Sequence, residues 1–369
     1  MIATEIEVKL KRLAEFLDWH RLDALLLTER ANFAWITAGR VNRIANNTPV
    51  GVASILVTRT SRICLANTIE APRMLAEELT GTGIRVIDYP WHDTAAAAKI
   101  MREAIGSLRV AADVDLAGLG LAPLPPGFVE LRWSLHEGEI ARYREGARRT
   151  TTAMQLACRE MKPGMSEHEI AGLLDHHVHR QGVNPVVTLI ATDERIERFR
   201  HPIPTDKKLS RYAMLVTCAE YRGLISCMTR FVHFGKPADE LRRKHQAVCN
   251  VDAAINLSTR PGKTLGELFG VLSQAYAANG FPDEYRLHHQ GGPTGYANRE
   301  ALATPDSPLV VRENQAFAWN PSITGTKSED TMLVTARGVE PLTQITGDWP
   351  RLIGIHNGQS LARADMLVL

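Results

Sequence analysis

Three stretches of the chain gather residues able to move protons, hold ions or orient a polar substrate. His201 stands in Arg200-His201-Pro202-Ile203-Pro204-Thr205-Asp206, a polar segment broken by prolines. An imidazole with a pKa of about 6.5 accepts and returns a proton at neutral pH, as C–N hydrolysis requires when water attacks and an amine leaves. The second stretch, His288-His289-Gln290-Gly291-Gly292-Pro293-Thr294-Gly295, joins two imidazoles to a glycine run, and Tyr296-Ala297-Asn298-Arg299-Glu300 follows it. No lysine follows in P-loop register and no Rossmann spacing surrounds the glycines, so they read as places where backbone approaches a substrate closely. The planar fork of Arg299 suits a carboxylate. The third stretch is Ser328-Glu329-Asp330-Thr331, just before an apolar strand, with Trp319-Asn320-Pro321 upstream. Asn320 offers both a donor and an acceptor to a neutral polar substrate. Cys227, in Ser226-Cys227-Met228-Thr229-Arg230, reads either as a nucleophile paired with a histidine or as a small hydrophobe on a buried strand. His168, His176, His177 and His179, with Asp175, crowd one helix end; His176 and His177 face different sides, so that end is expected to be solvated.

The elements that must position these residues fall into two groups. Glu5 to Arg21 carries an apolar stripe (Val8, Leu10, Leu13, Phe16, Leu17) at helical spacing, and Leu22 to Thr28 is a short apolar strand. Strands at Val52 to Val57, Arg62 to Leu65, Ile84 to Ile87 and Val110 to Asp113 alternate with helices at Ala71 to Leu79 and Thr94 to Ile105, the pattern of an open α/β domain. Periodicity stops at Gly118 to Gly127, where proline and glycine concentrate and a linker is expected. Beyond it a phrase occurs twice. A helix from Glu137 to Met161 ends at Lys162-Pro163-Gly164-Met165-Ser166, and a helix from Leu241 to Leu257 ends at Arg260-Pro261-Gly262-Lys263-Thr264. In each, a Ser or Thr with Glu three residues on (Glu169, Glu267) can cap a second helix. Strands follow at Val186 to Ala191, Ala213 to Cys218, Cys227 to Phe234, Gln315 to Trp319 and Thr331 to Thr335. Two matching helix pairs over one sheet are predicted, with a site between the halves.

The bulk properties narrow the function classes. At 369 residues, 44% hydrophobic and 23% charged, the chain has material for two folded cores. Lys plus Arg at 43 against Asp plus Glu at 41, a net charge of +2, gives no field to recruit nucleic acid or an anionic membrane. Five scattered cysteines without a CxxC pair argue against a disulfide framework or a structural zinc site. The charged first residues (Glu5, Glu7, Lys9, Lys11, Arg12) do not read as a secretory signal, no apolar run approaches membrane length, and a cytoplasmic location is expected.

These landmarks, in this order, resemble the pita-bread family of methionine aminopeptidase, prolidase and creatinase, in its prolidase–creatinase branch. The resemblance covers almost the whole chain. It implies a mixed α/β (α+β) protein: an N-terminal open α/β domain over residues 1–125 and a C-terminal pita-bread domain of two pseudo-twofold halves over 126–369. It also implies a homodimer acting on a small molecule. The family's metallopeptidases hold two divalent ions with two Asp, one His and two Glu. The matching positions here are Val216 (or Thr217), Cys227, Gly292, Asn320 and Glu329, of which only Glu329 keeps its family type. The expectation is therefore that no metal cofactor is used; the alternative is a single divalent ion on Cys227, His289 and Glu329. Creatinase works without metal, and the Tyr296-Ala297-Asn298-Arg299-Glu300-Ala301 ending is similar to it. By that resemblance His201 is the acid/base, Arg299 binds a substrate carboxylate and Glu329 orients the substrate with Asn320. His289 and Thr229 line the site, Thr229 standing where creatinase has a second glutamate. The expected function is metal-independent, creatinase-like cleavage of a C–N bond in a small substrate. The rivals are a divergent Xaa-Pro peptidase with an altered mononuclear site, and a catalytically inactive binding protein.

Overall fold

The structure, a computed structural model, describes residues 2–116, 118–343 and 346–369. It divides into two compact units, residues 1–132 with 136–139, and residues 133–135 with 140–369.

In the first unit the strands are β1 (Ala24–Glu29), β2 (Val50–Thr58), β3 (Arg62–Asn67), β4 (Arg85–Tyr89), β5 (Val110–Ala112) and β6 (Ala122–Pro123). They form one mixed sheet in the order β4-β3-β2-β1-β5-β6. Leu25, Leu26 and Leu27 on β1 are all buried, without alternation, so both faces of this central strand are covered. The helix Thr94–Ile105 ends where its pattern ends, and Asp93 caps it by accepting a hydrogen bond from Ala96 N–H. The segment expected as one helix from Ala71 to Leu79 is instead a short α-helical turn, Ala71–Arg73, running into a π-helical turn, Met74–Glu78. The reason lies at its end. Leu79 N–H bonds Met74 O, five residues back, and the Thr80 hydroxyl takes the carbonyls of Leu75 and Ala76 at 2.8 Å each. The helix Arg30–Ile36 and strand β6 were not read from the pattern.

The second unit repeats its phrase. The helices Glu137–Glu160 and Glu167–Arg180 form one pair, and Asp239–Ser258 and Leu265–Ala278 the other. Gly164 (φ 90°) and Gly262 (φ 91°) make the left-handed breaks that let the chain turn back, a conformation costly for any residue with a Cβ. Both predicted capping boxes are formed, by Ser166 with Glu169 and by Thr264 with Glu267. Each cap stabilises its helix by about 1 kcal/mol.

The strands of this unit are β7 (Asn184–Thr192), β8 (Tyr212–Tyr221), β9 (Leu224–His233), β10 (Gly291–Thr294), β11 (Ala316–Trp319), β12 (Ser322–Ile323), β13 (Thr326–Lys327), β14 (Asp330–Thr335), β15 (Gly338–Pro341), β16 (Arg351–His356), β17 (Gln359–Ala364) and β18 (Leu367–Val368). They do not make the single sheet expected. Two four-stranded sheets form, β18-β9-β8-β7 and β10-β11-β14-β15, with hairpins β12-β13 and β16-β17. The sheets meet along β9 and β14, where Thr229 N–H bonds Glu329 O at 3.2 Å and the Thr331 hydroxyl replaces further ladder bonds, accepting from Cys227 N–H (2.8 Å) and donating to Cys227 O (2.9 Å). A side chain thus does the work of a strand partner, and the ladder is interrupted there. Beneath this seam four buried charges interlock. Arg363 bonds Asp252 (2.7 Å) and Asp330 (2.8 Å), and Arg230 bonds Asp330 (2.7 Å). Among the described residues no helix is long and apolar enough to cross a membrane.

Candidate functional site

Glu329 lies in the two-residue gap between β13 and β14, where the chain crosses the seam. Its carboxylate is buried. Arg299 Nη2 donates to Oε1 at 2.9 Å, while Lys327 Nζ and the Thr229 hydroxyl reach Oε2 at 2.7 Å each. Burial works against the charge, but the ammonium of Lys327 and the guanidinium of Arg299 outweigh it and hold this carboxyl well below the usual range. Lys327 was not singled out from the sequence, although a signal exists: it precedes Glu329 by two residues in an extended segment, which puts both side chains on one face. A lysine so deeply buried needs an anionic partner.

The expected partners of a substrate prove to have other work. Arg299 Nη1 already donates to Asn298 O (2.6 Å) and to Cys227 Sγ (3.3 Å), so its two terminal nitrogens are committed and only Nε is left buried without a partner. Thr229 spends its hydroxyl on Glu329. Asn320 does face an unfilled need: it is 2% exposed and its Oδ1 has no partner.

Three imidazoles stand together near this group. His288 Nε2 and His201 Nε2 are 3.1 Å apart, and the ring of His289 is 4.7 Å from that of His288 and 5.4 Å from that of His201. His288 Nδ1 lies 3.3 Å from Ser322 Oγ, and His289 Nδ1 accepts from Gly291 N–H at 3.3 Å. Burial and then the charge of Lys327 lower the pKa of exposed His201, and the same pair of causes brings buried His288 to about 2. Burial and then Arg299 bring His289 to about 4. All three are neutral at pH 7, so each ring keeps one lone pair, and that of His289 already accepts from Gly291 N–H.

The glycine run is not a loop against a substrate. Gly291 and Gly292 are strand residues of β10, paired with Trp319 and Ala318 of β11. A Cβ on Gly291 would stand 2.1 Å from Ala318 O, and one on Gly292 2.5 Å from Ala301 O, so glycine serves close backbone packing here. One of the helix-end histidines departs from expectation, since His177 is buried against Glu160 at 3.0 Å, and Asp175 accepts from Thr188 at 2.6 Å. Their helix lies on β7, which takes up His177 and part of Asp175, while His168, His176 and His179 are exposed as expected of a solvated end.

The positions that the resemblance assigns to the family's ligands do not fit two divalent ions. Val216 belongs to an apolar cluster with Leu189, Met214 and Phe231, its alternative Thr217 is a buried neutral hydroxyl, Gly292 has no side chain, and Asn320 is an amide. The one carboxylate, Glu329, already carries two cations. The single-ion alternative on Cys227, His289 and Glu329 also fails, because Arg299 engages both the thiol and the carboxylate. Among the described residues the group whose ligand atoms do converge is His201, His288 and His289, all within 4.8 Å of one another. Three neutral imidazoles are a donor set that zinc accepts.

Comparison with known proteins bears on the same point. A model of metallopeptidase family M24 matches residues 141–336. An uncharacterized peptidase of Staphylococcus aureus (strain MW2) is 24% identical over 223 residues, covering 58% of this chain, and the chain spans only 63% of that relative's length. The Xaa-Pro dipeptidase of Pyrococcus horikoshii is 24% identical over 366 residues, 91% of this chain and 97% of the relative. In fold, the Xaa-Pro dipeptidase from Bacillus anthracis superposes with a TM-score of 0.78 at 16% identity, covering 99% of this chain and all of its own. The expectation that no metal cofactor is used is corrected by these findings, since the matching family model is one of metallopeptidases and the similar proteins are Xaa-Pro dipeptidases.

Proposed function

The chain belongs to metallopeptidase family M24, and from that premise we propose that it hydrolyses a carbon–nitrogen bond of a small, carboxylate-bearing peptide or peptide-like substrate, with His201 carrying the proton. One observation supports this reading above others: His201 is an exposed, neutral imidazole whose Nε2 is fixed at 3.1 Å from His288 beside the Glu329–Arg299–Lys327 group. In the neutral form it accepts a proton from the attacking water and returns it to the leaving nitrogen. His288 orients the ring that does so. The unpartnered Oδ1 of Asn320 accepts an N–H of the substrate, and the unpartnered Nε of Arg299 donates to its carboxylate.

A second reading of the same site rests on the convergence of the three imidazoles. His201, His288 and His289 would hold one divalent ion of the zinc type, which supplies Lewis acidity and a more acidic bound water. A lone pair on His201 serves one role or the other, so the two readings are separable. The test assays the purified chain on Xaa-Pro dipeptides and on N-acyl, ureido and guanidino carboxylates. Its metal content is measured by plasma mass spectrometry after incubation with Zn²⁺ or Mn²⁺ and gel filtration. On the first reading His201→Asn lowers kcat/KM by about 10²- to 10⁴-fold with the fold intact, and unchanged turnover overturns it. One retained ion per chain, lost in His288→Asn and in His289→Asn, would select the second.

A further inference from the structure

We propose that Cys218 and Cys227, beneath the candidate site, are a covalent modification site: a dithiol that a hydroperoxide converts into a disulfide. The inference goes beyond the proposed hydrolysis and does not depend on it.

The two cysteines are directly opposite partners in the antiparallel pair of β8 and β9. Which kind of pair they form follows from where the backbone of Cys227 points. Its N–H goes to the Thr331 hydroxyl and its C=O accepts from the same hydroxyl, both away from β8. The neighbours two residues on either side agree, since Ile225 N–H bonds Gly295 O and Thr229 N–H bonds Glu329 O. Cys218 and Cys227 are therefore a non-hydrogen-bonded pair, the narrow kind, with Cα atoms about 4.5 Å apart and side chains on the same face. That spacing lies inside the roughly 4.4–6.8 Å that a disulfide spans, so the bond can close without moving a strand. Both residues belong to one small buried cluster with Ile225 and Ala318.

The pair is also unequal, as a reacting and a resolving thiol should be. Cys227 Sγ accepts from Arg299 Nη1 at 3.3 Å. The neighbouring Cys218 thiol and, against burial, the Arg299 guanidinium draw the Cys227 thiol below its ordinary range, whereas Cys218 is pushed well above its own. At the other three cysteines burial wins, even where arginines lie near Cys158 and Cys249. It pushes Cys64 and Cys158 up to about 12 and raises Cys249 as well. Both members of the pair are buried, which limits the oxidant to one little larger than water.

The step balances with a hydroperoxide as oxidant. The Cys227 thiolate attacks the peroxide oxygen, the O–O bond breaks, and the departing hydroxide takes a proton to become water, leaving a sulfenic acid. Cys218 sulfur then attacks Cys227 sulfur, its proton leaves with the sulfenic oxygen as a second water, and the S–S bond forms. Two thiols lose two electrons to one peroxide. Arg299 loses an acceptor, so oxidation reaches the residue that holds Glu329.

The full-length chain, reduced and desalted, is given a few equivalents of hydrogen peroxide. It is then quenched with N-ethylmaleimide in denaturant and digested with trypsin without reductant. Arg222 lies between the two cysteines, so trypsin places them on separate peptides unless they are bonded. The expected result is a linked pair of peptides about 2 Da lighter than their sum. It forms about tenfold or more faster than any change at Cys64, Cys158 or Cys249, and dithiothreitol reverses it. In Cys218→Ser, Cys227 is expected to stop at a sulfenic acid that dimedone traps. The wild-type measurement stands alone if that variant does not fold. Equal oxidation of all five cysteines, or oxidation of Cys227 in the wild type without linkage to Cys218, overturns the proposal.

Discussion

Glu329 and Asp330 are consecutive, both buried and both bonded to two cations, yet they belong to different kinds of structure. Asp330 meets Arg230 at 2.7 Å and Arg363 at 2.8 Å, and Asp252 supplies a second carboxylate for Arg363. Two fixed acids therefore face two fixed bases. Glu329 meets Arg299 and Lys327, and among the described residues no second carboxylate pairs with them. What stands where that carboxylate would be is the sulfur of Cys227, 3.3 Å from Arg299, with the unpartnered Oδ1 of Asn320 among the groups nearby that still need a ligand. The difference teaches that burial and pairing do not by themselves mark a site. The seam side is closed by permanent charges; the other side keeps unfilled hydrogen-bonding atoms and a charge that chemistry can switch.

The comparison is tested most severely by removing each acid in turn. Asp330→Asn leaves two buried guanidinia short of charge and is expected to cost about 3–5 kcal/mol in urea unfolding. Glu329→Gln should abolish turnover and cost a similar amount, about 3–5 kcal/mol, because it leaves buried Lys327 and Arg299 without the carboxylate that pairs them. A folded Asp330→Asn that loses turnover as completely as Glu329→Gln would show that the division between scaffold and site is wrong. Acid probes the scaffold side more gently. His245, bonded to Thr326 at 2.7 Å, has its pKa lowered to about 4 by burial. The unfolded chain therefore binds a proton that the folded chain refuses. That stability is fully present above about pH 6.5 and is lost as pH falls toward 4, by at most about 1.4 kcal/mol per pH unit. Urea midpoints measured against pH should show this slope, and His245→Gln should flatten it. The smallest effect is expected at Asn320. Since its Oδ1 has no partner, Asn320→Ala should shift stability by less than about 1 kcal/mol while weakening substrate turnover. A loss above 2 kcal/mol would mean, on the same scale, that the amide is structural.

Much of this was legible in the sequence, for identifiable reasons. The repeated Pro-Gly break and the Ser or Thr with Glu three residues on are local signals, and both capping boxes formed where they pointed. His201 and His288 could be nominated by type, but their Nε2 contact joins residues 87 apart in sequence, which no local pattern encodes. Arg299 was legible as a cation and not as one already engaged, because its partners come from β9 and from the gap before β14. Lys327 escaped notice because a lone lysine in a polar segment usually faces water. The glycines at 291 and 292 were read as room for a ligand, and the strand that fills the room, β11, lies more than twenty residues downstream.

Those two glycines also bear on history. The resemblance places the family's histidine ligand at position 292, where a Cβ would stand 2.5 Å from Ala301 O on a backbone with φ 155°. A single codon change cannot install that histidine, because the neighbouring chain would have to withdraw first. Position 216 is barred differently, since an aspartate there would enter an apolar cluster. Descent through such a packing works as a ratchet. Selection acting on this chain can refine the chemistry of the residues it now has, but the ancestral arrangement is no longer one substitution away.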